Sequence, residues 1–236
     1  MNPLNRIFSF LLCISLLPLL LSCGKAQAAS DAKQGEQTDF LASLTFLGDS
    51  TTAHMAARAA VTPAQIWAAK NRYLNLDHRI TYATIVAPDT GAEETIATVA
   101  ARIKPRYLVI TLGIDYGVYY YRNDLSKFRF YYEKLLDAIS AASPETVLVL
   151  QSVFPVTAAS TAITNEMIDR ANGEIRAIAA ARGLVYVDAN AVLKNEDGYL
   201  ADRFCNSEDG LHLTAKAYEQ ILENLKRYET AIKESV

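Results

Sequence analysis

Apolar residues fall into two registers along this chain. LTFL (44–47), ITYATIV (80–86), YLVITL (107–112), TVLVLQSV (146–153) and LVYVD (184–188) are short, nearly continuous runs. They lack the alternation of a strand with one wet face, and so predict strands covered on both sides. Between them apolar positions recur at helical spacing. AEETIATVAARI (92–103) predicts a helix opening after Gly91, with Glu93 and Glu94 in its first turn, where the helix dipole favours acids. DLSKFRFYYEKLLDAISAAS stops before Pro144, and TNEMIDRANGEIRAIAAARG stops at Gly183, a residue suited to a left-handed cap. LTAKAYEQILENLKRYETAIK (213–233) is a last amphipathic helix. Strand–helix units in this succession predict an α/β fold, a five-stranded parallel sheet with helices on both faces, in the flavodoxin-like order 2-1-3-4-5.

The first residues do not fit that pattern. Arg6 precedes IFSFLLCISLLPLLL, an apolar segment of export-signal length, broken by Pro18 and short for a membrane span. It ends in LLSCG, which resembles the lipobox of bacterial lipoproteins. That resemblance implies lipidation of Cys23 and anchoring to the extracytoplasmic face of a membrane. Cleavage near Ala28, releasing a secreted protein, is the alternative. Residues 1–23 are thus expected to be a signal, 24–41 a polar tether and 42–236 the folded domain. Cys205 is then the one cysteine of that domain, so no internal disulfide can hold it. The formal net charge of -3, without a basic run, excludes a nucleic-acid footprint.

In open parallel sheets ligands bind beyond the carboxyl ends of the strands. GDS (48–50) follows the first predicted strand, PDTG (88–91) the second and GIDYG (113–117) the third, while DGLH (209–212) lies beyond the fifth. Serine, aspartate, histidine and glycine-rich turns on one rim are the residue types of acyl transfer. A serine hydroxyl needs an imidazole to take its proton, and a carboxylate to orient that imidazole. His212, three residues after Asp209, suits the second part. Alone, Ser50 would be an ordinary helix cap. His54, one helical turn past Ser50, is expected to pack locally, and His78 to be solvated.

GDS after the first strand and DGLH near the carboxyl end resemble the GDSL, or SGNH, hydrolases, a superfamily of esterases and acylhydrolases. The resemblance covers roughly residues 42–226. It implies a three-layer α/β/α sandwich, with Ser50 as nucleophile and Asp209 and His212 as its partners. It further implies an oxyanion hole built from the amides of Ser50 and Gly91 together with the residue at position 115. Family members usually carry asparagine there; this chain has Asp115. An ionised carboxylate has no N–H to donate and repels a negative oxygen. No cofactor is implied, and the acidic residues show no metal-site spacing.

YGVYYYRNDLSKFRFYY (116–132) begins on the same rim. Its tyrosines pair an apolar face with a polar tip, which suits a sugar ring or an acyl chain. Tyr116 and Tyr119 are expected to line a cleft, with Gln151 and Phe154 after the fourth strand. Phe128, Tyr131, Tyr132 and Leu135 recur at helical spacing and predict a face packed on the sheet. These features lead to a serine esterase acting on an extracytoplasmic ester, such as an O-acetylated glycan. The alternative is a degenerate member of the fold that binds glycan without hydrolysing it.

Overall fold

Leu44–Gly48 forms β1, and its apolar residues enter two different cores, Leu47 on one face of the sheet and Leu44 and Phe46 on the other. The computed structural model describes residues 40–58, 61–114, 116–206 and 209–235. The expected signal, the Cys23 lipidation site, most of the tether and Asp115 lie outside the described residues. Phe40 is already buried, its ring edge-on to Tyr107.

After β1 come two short helices, α1 (Ser50–Ala53) and α2 (Met55–Arg58), then β2 (Ile66–Trp67). A hairpin of β3 (Thr84–Val86) and β4 (Glu93–Thr95) leads into α3 (Ile96–Ile103). β5 (Tyr107–Thr111), α4 (Leu125–Ala142), β6 (Val147–Gln151), α5 (Asn165–Arg182), β7 (Val185–Val187), α6 (Ala215–Arg227) and α7 (Glu229–Glu234) complete the chain. The main sheet is parallel, in the order β2-β1-β5-β6-β7, which is the expected 2-1-3-4-5.

Alternate residues of β5 show how the sheet separates the two cores. Leu108 and Ile110 pack with Val99 of α3, Leu135 of α4 and Ile175 of α5, while Tyr107 and Val109 pack with Tyr218, Ile221 and Leu225 of α6. Each such side chain, fully withdrawn from water, contributes about 1.5–3 kcal/mol. Phe128, Tyr132 and Leu135 are buried, as their spacing predicts. Thr164 caps α5 at its start, accepting from the Met167 amide, and Gly183 ends the helix at φ +65°.

Two expectations need correction. The second strand of the sheet is Ile66–Trp67, not 80–86. Within 80–86, Tyr82 and Thr84 face water, so the run is amphipathic; its first residues form a 3₁₀ turn and its last pair with β4. Trp67, fully buried, anchors an edge strand too short to show a pattern. Consequently Glu93 and Glu94 lie in β4, and the helix starts at Ile96, where Thr95 caps it by accepting from the Thr98 amide. Arg102 on α3 bonds both Asp89 and Glu94, which holds the hairpin against its helix.

Candidate active site

Gly48 must be glycine. A Cβ there would collide with the Thr52 side chain and with the Thr111 carbonyl of the neighbouring strand. The chain therefore leaves β1 tightly, and Asp49 caps α1 through its bonds from the Thr51 amide (3.3 Å) and hydroxyl (2.9 Å). The other carboxylate oxygen of Asp49 accepts from the amides of Gly113 and Ile114, both at 3.3 Å, in the turn after β5. Burial pushes the Asp49 carboxyl above its ordinary range, and these hydrogen bonds pull it back. The sequence reading gave this residue no role beyond its place in the GDS turn.

Ser50 opens α1 at 9% exposure, and its hydroxyl makes no hydrogen bond to any described residue. Its amide, in the first turn of the helix, has no intrahelical acceptor. Both groups are thus available to a ligand.

Asp209 and His212 are brought together. Nδ1 of His212 lies 3.0 Å from Oδ2 of Asp209, while Oδ1 accepts from the Leu211 amide at 2.9 Å. Between them Gly210 takes φ +73° and packs so tightly on Thr157 that a Cβ would clash with its side chain. Its carbonyl accepts from the Thr157 amide. The loop after β6 therefore shapes the Asp–His turn.

Three contacts dock that turn and α6 on the Ser50 segment. The Tyr218 hydroxyl donates to the Thr51 carbonyl at 2.6 Å, Nη1 of Arg58 donates to the Leu213 carbonyl at 2.8 Å, and the His54 and His212 rings lie 5.0 Å apart. His54 is more than local packing. Nη1 of Arg72 lies 3.0 Å from its Nε2, and burial, followed by the charges of Arg58, His212 and Arg72, lowers its pKa to about 4. The imidazole is neutral at physiological pH. The signal for it was in the sequence, four residues past Ser50, but its partner Arg72 lies in a loop with no motif. His78 is exposed, as expected.

The other predicted residues divide. Gly91 is corrected: it sits exposed in the turn joining β3 to β4, and its amide donates to the Ala87 carbonyl at 2.8 Å, so that N–H is engaged in the turn. The reason is the misplaced second strand; the loop that leaves the sheet's true second strand begins at Ala68. Gln151 is also corrected. It is buried at 1% exposure, with Nε2 donating to Oγ1 of Thr111 at 2.8 Å, so it ties β6 to β5 instead of lining a cleft. Phe154 is buried and borders a cavity of about 10 Å³, roughly one water, with Asp49, Thr111 and Leu211. Tyr116 and Tyr119 are partly exposed; Tyr116 stacks on Tyr120 at 4.8 Å, and the Arg122 guanidinium lies 4.2 Å from the Tyr119 ring. Among the described residues no three side chains are grouped to hold a metal ion, and no helix is long and apolar enough to cross a membrane.

Comparison with known proteins bears on the fold and the family. A Streptococcus pneumonia protein named for platelet activating factor shares 18% identity and superposes with a TM-score of 0.56, covering 89% of this chain and 99% of its own. A GDSL-like lipase from Bacteroides thetaiotaomicron shares 16% identity at a TM-score of 0.51, over 82% and 88% of the two chains. A carbohydrate esterase family 3 protein from Talaromyces cellulolyticus shares 16% at 0.51, over 81% and 98%. No curated protein sequence matches. At these identities the likeness is one of fold, the three-layer sandwich expected from the sequence. Residues 46–220 match the GDSL-like lipase/acylhydrolase family, and this chain belongs to it.

Proposed function

We propose that the protein is a serine esterase in which Ser50, His212 and Asp209 act in series. One observation carries this reading: an aspartate–histidine pair at 3.0 Å sits on a segment docked against the helix that Ser50 opens. Ser50 Oγ attacks the ester carbonyl carbon while its proton passes to Nε2 of His212. Asp209 at Nδ1 orients the ring and stabilises the imidazolium. Collapse of the tetrahedral intermediate breaks the C–O bond, and the alcohol leaves with the proton from His212. Water then repeats the sequence on the acyl-enzyme, releasing a carboxylic acid and restoring Ser50. The Ser50 amide is the donor best placed for the oxyanion.

An acylated glycan is the substrate class we favour. Tyr116, Tyr119 and Tyr120 offer exposed ring faces on the loop that follows β5, the kind of surface a sugar ring stacks on. The fold shared with a carbohydrate esterase is consistent with it. An export signal with lipid attachment at Cys23 would place the domain outside the cytoplasm. Cys23→Ser should move the protein from the membrane to the soluble fraction, and a protein that stays membrane-bound would count against the anchor.

A second reading is binding without hydrolysis. It is favoured by the engagement of the Gly91 amide within its own turn, which removes one expected oxyanion donor. Hydrolysis of 4-nitrophenyl acetate by residues 31–236 and by Ser50→Ala separates the two. The esterase reading expects a loss of about 10³-fold or more in the variant; equal rates from two folded proteins would leave the binder.

A further inference from the structure

The loop that leaves β2 carries an arginine, Arg72, that forms no ion pair with any described residue. Arg72 holds φ +65°, a conformation that non-glycine residues adopt at a cost and that gathers at functional sites. Its amide donates to the Ala69 carbonyl at 2.8 Å, so the turn is closed by its own backbone. The guanidinium reaches Nε2 of His54 at 3.0 Å. Arginine only donates, so Nε2 accepts and the His54 proton stays on Nδ1, a buried atom without a partner. A neutral imidazole accepts a hydrogen bond but cannot neutralise a cation.

The neighbouring cations of this loop are neutralised, Lys70 by Glu93 and Arg79 by Asp77. Arg72 makes no ion pair among the described residues, nor does Arg58, whose guanidinium faces the Leu213 carbonyl. The one carboxylate shown against this cluster, Asp209, is bonded to His212. The His54 ring touches both groups: its centroid lies 5.0 Å from that of His212, the proposed base, and its Nε2 lies 3.0 Å from the Arg72 guanidinium. The same loop is tied to the tyrosine surface, since the Leu76 amide donates to the Tyr116 carbonyl at 3.0 Å.

We propose that Arg72 selects esters bearing a carboxylate close to the scissile bond, binding that group with the guanidinium N–H groups not engaged by His54. The inference rests on the esterase reading and narrows its substrate class to acylated acidic molecules, acidic sugars among them. A planar fork of donors matches a carboxylate in a way that a lysine ammonium does not. Because Arg72 is exposed, its effect is screened by salt.

The test compares kcat/KM for 4-nitrophenyl acetate, 4-nitrophenyl hydrogen succinate and 4-acetoxybenzoate, which place the carboxylate nowhere, on the acyl side and on the alcohol side. Wild type is set beside Arg72→Gln and Arg72→Gly, the second chosen because glycine accepts the left-handed turn without strain. Relative to the acetate, at least one carboxylate ester should fall by about tenfold in both variants at low salt. Arg72→Lys should recover only part of it. Carboxylate esters that fall no more than the acetate would overturn the proposal. Titration of succinate, followed by the His54 imidazole NMR signals, gives a readout independent of turnover. Shifts in wild type and Ser50→Ala that vanish in Arg72→Gln support the proposal even if no ester is cleaved. Absence of shifts in wild type rejects it, whatever the fate of the esterase reading.

Discussion

The Asp49 carboxylate accepts the amide of Gly113 at 3.3 Å, joining the turn that presents Ser50 to the turn that follows the central strand β5. The same oxygen accepts from Ile114, and the other holds Thr51. One side chain therefore sets the position of two rim loops. Buried amides left without an acceptor cost about 1–3 kcal/mol each. Asp49→Ala is expected to lower stability by at least that much and to reduce ester hydrolysis further than the loss of folded protein explains. Urea melts beside kcat/KM on the folded fraction check this.

The titration of Asp49 gives a separate prediction. Burial raises its folded pKa above the ordinary 3.8, so the native state holds the proton more tightly than the unfolded chain does. The stability this group contributes is complete below 3.8 and is lost as pH rises through the folded pKa. Asp49→Asn does not titrate. The stability advantage of wild type over Asp49→Asn should therefore narrow as pH climbs from below 3.8 through the folded pKa. A difference that widened would mean that the hydrogen bonds outweigh burial.

His54 behaves in the opposite sense. Its pKa falls from 6.5 to about 4 in the folded protein, first through burial and then through Arg58, His212 and Arg72. The unfolded chain takes up the proton first, so stability is full above 6.5 and declines as pH drops toward 4. His54→Gln should flatten that decline, as measured by chemical denaturation across the interval. A decline of unchanged slope in the variant would assign the acid sensitivity to other groups.

How much of this was legible depended on the length and chemistry of each signal. β1, β5, β6 and β7 could be read because each is a near-continuous apolar run, largely buried in β1, β5 and β6 and half-buried at the sheet edge in β7. The pairing of Asp209 with His212 could be read because a tight DG turn brings residues three apart together. Trp67 could not be placed, since two strand residues carry no periodicity, and the longer ITYATIV run drew the assignment away from it. That one displacement also moved the expected oxyanion glycine to Gly91, in a hairpin beside the sheet. Asp49 to Gly113 and Arg72 to His54 are side-chain contacts between segments 64 and 18 residues apart, which no local pattern predicts. Nothing short of the fold brings them together.

Tyr218 offers a test of how firmly the last helix holds the site. Its hydroxyl donates to the Thr51 carbonyl at 2.6 Å within a buried contact, and its ring lies in the core between α6 and the sheet. Tyr218→Phe keeps the ring and removes the bond, leaving a buried carbonyl in α1 without that donor. A loss of about 1–2 kcal/mol is expected, together with a lower kcat, because the α6 end of the Asp209–His212 segment is less firmly tied to the Ser50 helix. A variant with lowered stability but unchanged kcat would show that Arg58 and the His54–His212 contact suffice to hold the segment.

The last prediction concerns Asp115, which follows the two amides held by Asp49. Family resemblance places a side-chain donor at this position, and an ionised aspartate can only accept. On the esterase reading proposed above, with the Gly91 amide engaged in its own turn, the Ser50 amide is the principal donor for the oxyanion, and an ionised carboxylate in the family's donor position would raise the barrier. Asp115→Asn replaces repulsion with an N–H and changes the side chain's volume little. Its kcat on 4-nitrophenyl acetate near neutral pH should rise by about tenfold or more, since a single such donor is worth on the order of 10²–10³ in rate. The gain should disappear in the Ser50→Ala background, which separates a repaired oxyanion hole from a general effect on folding. If Asp115→Asn is slower than wild type, the aspartate is contributing to catalysis as it stands, and the donor role belongs to its protonated form.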